Sequence, residues 1–140
     1  MAGYSGTPLA RKLSIRPGDS LAVLGAPAGF AIDDLPPGVD VRLQPTAACD
    51  VIVSFHTRRS DLTRRFATLM RALAVDGGLW VAWPKRTSGV DTDMTEDVVR
   101  EVALPTGMVD NKVCAIDHTW SGLRLVLRKE LRPGRTSAAG

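Results

Sequence analysis

Val51-Ile52-Val53-Ser54-Phe55 is an almost continuous apolar run, and Leu79-Trp80-Val81-Ala82-Trp83 is another. Strands that alternate apolar and polar residues face water on one side. Runs without alternation are covered on both faces, as in parallel sheets flanked by helices. The stretch between the two runs fits a crossover helix, because Leu62, Phe66, Leu69, Met70 and Leu73 fall on one stripe at helical spacing. Ser60 reads as its N-cap, Asp61 suits its first turn, and Gly77-Gly78 reads as its stop. A buried strand–helix–strand unit of this kind restricts the chain to an α/β fold with a mostly parallel sheet.

The flanking segments extend that sheet. Thr7 and Pro8 open a short helix to Leu13, as N-cap and first helical residue, and Pro17-Gly18 turns the chain into a first strand, Ser20–Gly25. Val39–Leu43 is a second, weaker strand. After Pro84 a loop, Lys85–Asp91, leads to another helix, whose start at Asp93-Met94-Thr95-Glu96 resembles a capping box and whose course breaks at Pro105. Val109–Asp117 and Leu123–Arg128 read as a closing antiparallel hairpin.

The chain has 140 residues and a mass of 15.0 kDa, enough for one core, so a single domain is expected over residues 1–130. Residues 131–140 are polar and small and read as a disordered tail. No apolar run reaches the roughly 18 residues of a membrane span. Met1–Leu13 lacks the apolar centre of a signal peptide, and Ala2 does not suit myristoylation. Cys49 and Cys114 stand far apart, which suits free thiols in a reducing cytoplasm. A net charge of +3 is too small to argue for nucleic-acid binding, and few aromatics lie among the arginines.

Charge is nonetheless segregated. Arg58, Arg59, Arg64, Arg65 and Arg71 surround the first long helix, whereas Asp91, Asp93, Glu96, Asp97 and Glu101 surround the second. Opposite patches of this kind suit head-to-tail pairing in a homo-oligomer or a charged partner, and equally suit plain solvation.

Five segments stand out together: Leu13-Ser14-Ile15-Arg16-Pro17-Gly18-Asp19, the Leu24-Gly25-Ala26-Pro27 turn, Gly78-Leu79-Trp80-Val81-Ala82-Trp83-Pro84-Lys85, Thr95–Glu101 and Asp110-Asn111-Lys112-Val113-Cys114. In these the chain resembles a small bacterial family, domain-of-unknown-function family 3052. More distantly, the order of elements resembles a shrunken class I S-adenosylmethionine-dependent methyltransferase. That likeness implies a three-layer Rossmann-like fold with a reduced N-terminal half. It also implies a cofactor held by the first strand's glycine turn and by a carboxylate ending the second strand. Here the second strand ends in Leu43-Gln44-Pro45, with no acid at that position. Ala26–Gly38 leaves room for only a turn or two of helix, and Gln44–Asp50 for none. The expectation is therefore a non-catalytic binding or regulatory module without a cofactor. The alternative is a minimal methyltransferase using S-adenosylmethionine.

Ligands of parallel sheets bind at the carboxyl ends of the strands. That rule gathers Gly25, Pro27, Gly29, His56, Trp83, Lys85, His118 and Trp120 onto one rim as the candidate site for a small molecule or protein partner. Trp83 offers a stacking plane and Lys85 a cation, or the indole is packing and the cation is solvated. His56, at the end of the third strand, would suit a general base by its near-neutral titration. It has no acid close behind it, however, and reads rather as a surface loop histidine, and His118 carries the same two readings. The histidine and cysteine spacings fit no metal-ligand pattern, and no Gly-x-Ser-x-Gly elbow supports a catalytic serine.

Overall fold

A computed structural model describes residues 7–132. Its strands are Ser20–Leu24 (β1), Asp40–Arg42 (β2), Cys49–Phe55 (β3), Leu73–Pro84 (β4), Met108–Ala115 (β5) and Trp120–Leu127 (β6). They form one six-stranded sheet in the order β2-β1-β3-β4-β6-β5. The first four strands are parallel neighbours, and β6 lies antiparallel between β4 and β5. The hairpin partner β5 therefore runs in the same direction as the parallel strands, and its far end reaches the same rim.

Helices Arg59–Ala72 (α2) and Glu96–Ala103 (α3) cover one face. Leu62, Phe66, Leu69, Val99 and Ala103 pack there on Ile52, Leu79, Val81 and Leu125, all nearly or fully buried. Each such large side chain contributes roughly 1.5–3 kcal/mol through burial. Among the described residues, the opposite face carries only the one-turn helix Leu9–Lys12 (α1) and an extended strap through Phe30, Ile32 and Leu35. Trp80, fully buried on that face, donates its indole N–H to the Leu13 carbonyl at 3.0 Å and ties α1 to the sheet. The third layer is thus present but thin, because no helix forms between β1 and β2 or between β2 and β3.

Several local expectations are corrected. Pro8, not Thr7, is the N-cap of α1, and α2 starts at Arg59 without a side-chain cap from its own sequence. Its first amide is satisfied from elsewhere: Arg59 N donates to Asp93 Oδ1 at 2.7 Å, so Ser60 is free to lie inside the helix. The cap of α3 is Thr95, which accepts from Val98 N at 3.1 Å, two residues later than Asp93.

Gly77 and Gly78 do not stop α2; they lie inside β4, which begins directly after Ala72. Their lack of a side chain serves close approach instead. A Cβ on Gly77 would stand 2.8 Å from the Asp50 carbonyl, and one on Gly78 would stand 2.5 Å from Arg124 Nε. Strand β6 begins at Trp120 rather than Leu123, because the Asp117 carboxylate accepts from both Thr119 N and Trp120 N at 2.8 Å and closes a shorter turn. The expected tail falls outside the described residues from 133 onward, and Leu131 closes a short helical turn.

Candidate functional site

The eight candidate residues do lie along the carboxyl edge of the sheet, held by backbone contacts. His56 N donates to the Ala82 carbonyl at 2.9 Å, Pro84 is opposite Trp120, and Lys85 N donates to the Thr119 carbonyl at 2.8 Å. Gly25, at φ +69°, ends β1 with its Cα against the Phe55 carbonyl, where a side chain would be strained and crowded. The Pro27–Gly29 turn delivers Phe30, which meets Phe55 edge-on with ring centroids 4.9 Å apart. Phe55 meets Trp120 in the same manner at 5.0 Å. His118 sits exposed in the adjoining β5–β6 turn.

The edge is one, but the sheet divides its residues between two faces. His56 and Trp83 lie on the side of α2 and α3, whereas Phe55 and Trp120 lie on the strap side. Trp83 is only 7% exposed and Trp120 only 8%. Neither indole offers an open stacking plane. What opens to solvent is the corner beside Trp83, where a cavity of about 820 Å3 runs between Lys85-Arg86 and the start of α3 at Thr95-Glu96-Asp97. Among the described residues the Lys85 ammonium makes no hydrogen bond or ion pair.

His56 is not a surface loop histidine, and it does have a carboxylate. It is 2% exposed, with Nδ1 2.7 Å from Asp61 Oδ2 and Nε2 2.7 Å from Ser54 Oγ. Asp61, on the first turn of α2, points back over the end of β3 and also accepts from Arg64 and Arg65. An ionised Asp61 requires the proton on His56 Nδ1, so neutral His56 accepts at Nε2 from the Ser54 hydroxyl. Burial lowers the His56 pKa, with Arg65 adding to the effect and Asp61 opposing it, so the ring is neutral at neutral pH. Burial alone would raise the Asp61 carboxyl, but hydrogen bonds from His56 and Arg65 hold it below its ordinary value.

The connectivity is that of a hydroxyl–imidazole–carboxylate relay. However, Ser54 is also only 2% exposed, under α2, so a substrate has no approach to its hydroxyl. The triad locks the end of β3 to the first turn of α2. Sequence reading missed Ser54 and Asp61; the available signal was an acid five residues after the histidine, on the first turn of the next helix.

The segregated charges also meet inside one chain. Arg58, just before α2, pairs with Asp91 of the loop leading to α3 at 2.5 Å, and Arg59 of α2 pairs with Glu101 of α3 at 2.6 Å. Among the described residues no helix is long and apolar enough to cross a membrane.

A family model described as a protein of unknown function (DUF3052) matches residues 41–129. The chain belongs to that family. No curated protein matches its sequence. Among solved structures, it is similar to a SAM-dependent methyltransferase from Aquifex aeolicus, at 13% identity and a TM-score of 0.63, over 84% of this chain and 86% of that one. It is also similar to a TehB-like SAM-dependent methyltransferase from Corynebacterium glutamicum, at 15% identity and a TM-score of 0.57, over 91% of each chain. A third likeness is to magnesium protoporphyrin IX methyltransferase from Synechocystis with bound SAM, at 10% identity and a TM-score of 0.59, over 80% of this chain and 71% of that one. At these identities the likeness establishes a Rossmann-like, methyltransferase-like fold for this DUF3052 protein, and a fold alone does not specify a function.

Proposed function

We propose that this DUF3052 protein is a non-catalytic binding or regulatory module that engages a small molecule or protein partner at the carboxyl rim, in the corner between Trp83–Arg86 and the start of α3. The observation that carries the reading is the state of the cofactor half. Strand β2 ends at Arg42 and passes into Leu43 and Gln44, so no carboxylate stands where the resemblance places the ribose anchor. The glycine turn after β1 leads into an extended strap rather than a helix, so there is no helix N-terminus to hold an anionic group there. The residues present do not fit S-adenosylmethionine, and no methyl-transfer step is assigned to them. The relay at Ser54, His56 and Asp61 supports the same reading, because it is sealed.

The corner has the features of a recognition site. Lys85 and Arg86 face Glu96 and Asp97 across an open cavity, and proline at position 84 ends the strand and fixes where these cations begin. Both signs of charge within one cavity suit a polar ligand, or a partner segment carrying both. Glu96 and Asp97 also pair with Arg100 of α3, whereas Lys85 has no ion pair among the described residues, so Lys85 is the charge on which the reading rests.

The test compares affinity-capture profiles and metabolite-binding screens of the wild type and Lys85→Ala. The substitution removes an unpaired cation, so folding is expected to change by no more than about 0–1 kcal/mol while the captured partner or ligand is lost. Unchanged profiles in both screens would overturn the assignment of the corner.

A further inference from the structure

On the strap side of the sheet, towards its amino ends, a second cavity of about 720 Å3 is walled by α1 and the residues following it, by Asp34 and Pro36 of the strap, and by Arg124 of β6. It is separate from the carboxyl rim. Arg124 is an unusual side chain for this position. It lies in the interior of a strand, opposite Trp80, between the buried residues Leu123 and Leu125. Its Nε is inaccessible to solvent and has no hydrogen-bond partner among the described residues, and no carboxylate there pairs with it. Residues 1–6 and 133–140 contain no Asp or Glu, so the rest of the chain holds no acidic side chain to supply one.

A buried guanidinium nitrogen without a partner costs stability, and an anion bound in the cavity would satisfy it. The surroundings hold this one in place. Gly78 leaves the space in which the guanidinium lies, since a Cβ would come within 2.7 Å of Cζ and Nη2. Arg11 and Arg16 line the same cavity, against Asp34 as the one carboxylate in its wall. Burial lowers the Arg124 pKa, and Arg132 and Arg16 lower it further through charge repulsion, so the cavity wall is a focus of positive potential. Ser14, also in the wall, holds φ at +61°, a conformation that non-glycine residues keep mainly where the surrounding structure demands it.

We infer that this cavity is an anion site, in which Arg124 and Arg16 grip the phosphoryl group of a small phosphomonoester. Guanidinium forks match phosphate and carboxylate oxygens alike. Three guanidiniums facing one carboxylate leave an excess of two positive charges, which suits a phosphate dianion better than a single carboxylate. The volume leaves space for the organic part of a metabolite of ordinary size.

The probe is inorganic phosphate, titrated at constant ionic strength against chloride and acetate controls. It is read by the urea denaturation midpoint and by the 15N–1H resonance of Arg124 Nε. Phosphate is expected to raise the wild-type midpoint saturably, beyond both controls, and to move that resonance. Arg124→Met is expected to raise the midpoint without phosphate, by removing an unpaired charge, and to abolish the phosphate response. Arg16→Gln, at an exposed side chain, is expected to weaken the response by about tenfold with the unliganded midpoint unchanged, which keeps the test decisive if Arg124→Met does not fold. Lys85→Ala is expected to leave the response intact, which separates this site from the rim. A wild-type response equal to chloride overturns the inference, as does an acetate response equal to that of phosphate, or an undiminished response in Arg16→Gln.

Discussion

Replacing Asp61 by Ala removes the carboxylate that faces the buried His56, and the structure sets the size of the effect. The Nδ1–H of a residue only 2% exposed loses its acceptor at 2.7 Å, and stranding a buried donor costs about 1–3 kcal/mol. The same carboxylate sits on the first turn of α2, where a negative charge contributes about 0.3–1 kcal/mol. Its pairs with Arg64 and Arg65 are largely exposed and add at most about 1 kcal/mol. Together these place the loss at about 1–5 kcal/mol. Asp61→Asn keeps an acceptor for His56 and should lose less, and Arg64→Ala, which removes only an exposed pair, should lose least. Urea denaturation followed by tryptophan fluorescence measures this ordering, with the fully buried Trp80 as reporter. A loss in Asp61→Ala no larger than that in Arg64→Ala would refute the claim that the His56–Asp61 bond holds α2 to the sheet.

Because the folded-state pKa of His56 is lowered, the unfolded chain binds more protons as the pH falls below the ordinary histidine value of 6.5. Stability should therefore be full above that pH and decline below it, and His56→Gln should flatten the decline in denaturation curves taken between about pH 5 and 7. Phe66→Ala, which opens a cavity under α2, should cost about 3–5 kcal/mol in chemical denaturation, and a loss below about 1 kcal/mol would contradict the packing of that helix.

The parallel sheet was legible because Val51–Phe55 and Leu79–Trp83 are apolar without alternation, a pattern that burial on both faces imposes wherever the chain goes next. Local signals misled where a distant group took over a local task. Ser60 reads as a cap, yet Asp93 satisfies the first amide of α2 from more than thirty residues away. Gly77-Gly78 reads as a helix stop because glycine there ordinarily supplies a left-handed turn. Here both glycines sit in a strand to admit the Asp50 carbonyl and the Arg124 guanidinium, and neither neighbour is visible from the local sequence. The rim itself followed from strand direction, which the hydrophobic pattern reveals. How deeply each rim side chain is buried depends on packing from both layers, so His56, Trp83 and Trp120 looked more open in the sequence than they are. Arg124 carried no motif at all; only the sheet register, which sets it opposite Trp80, gives it meaning.

The central claim is that a methyltransferase-like fold persists here without its cofactor function. Calorimetric titration of the intact chain with S-adenosylmethionine, and separately with S-adenosylhomocysteine, tests it most directly. No saturable heat is expected up to about 1 mM, corresponding to a binding free energy weaker than about −4 kcal/mol. Saturable binding in the micromolar range, and above all binding lost on substitution of Gly25 at the end of β1, would contradict the account and restore the reading of a minimal methyltransferase.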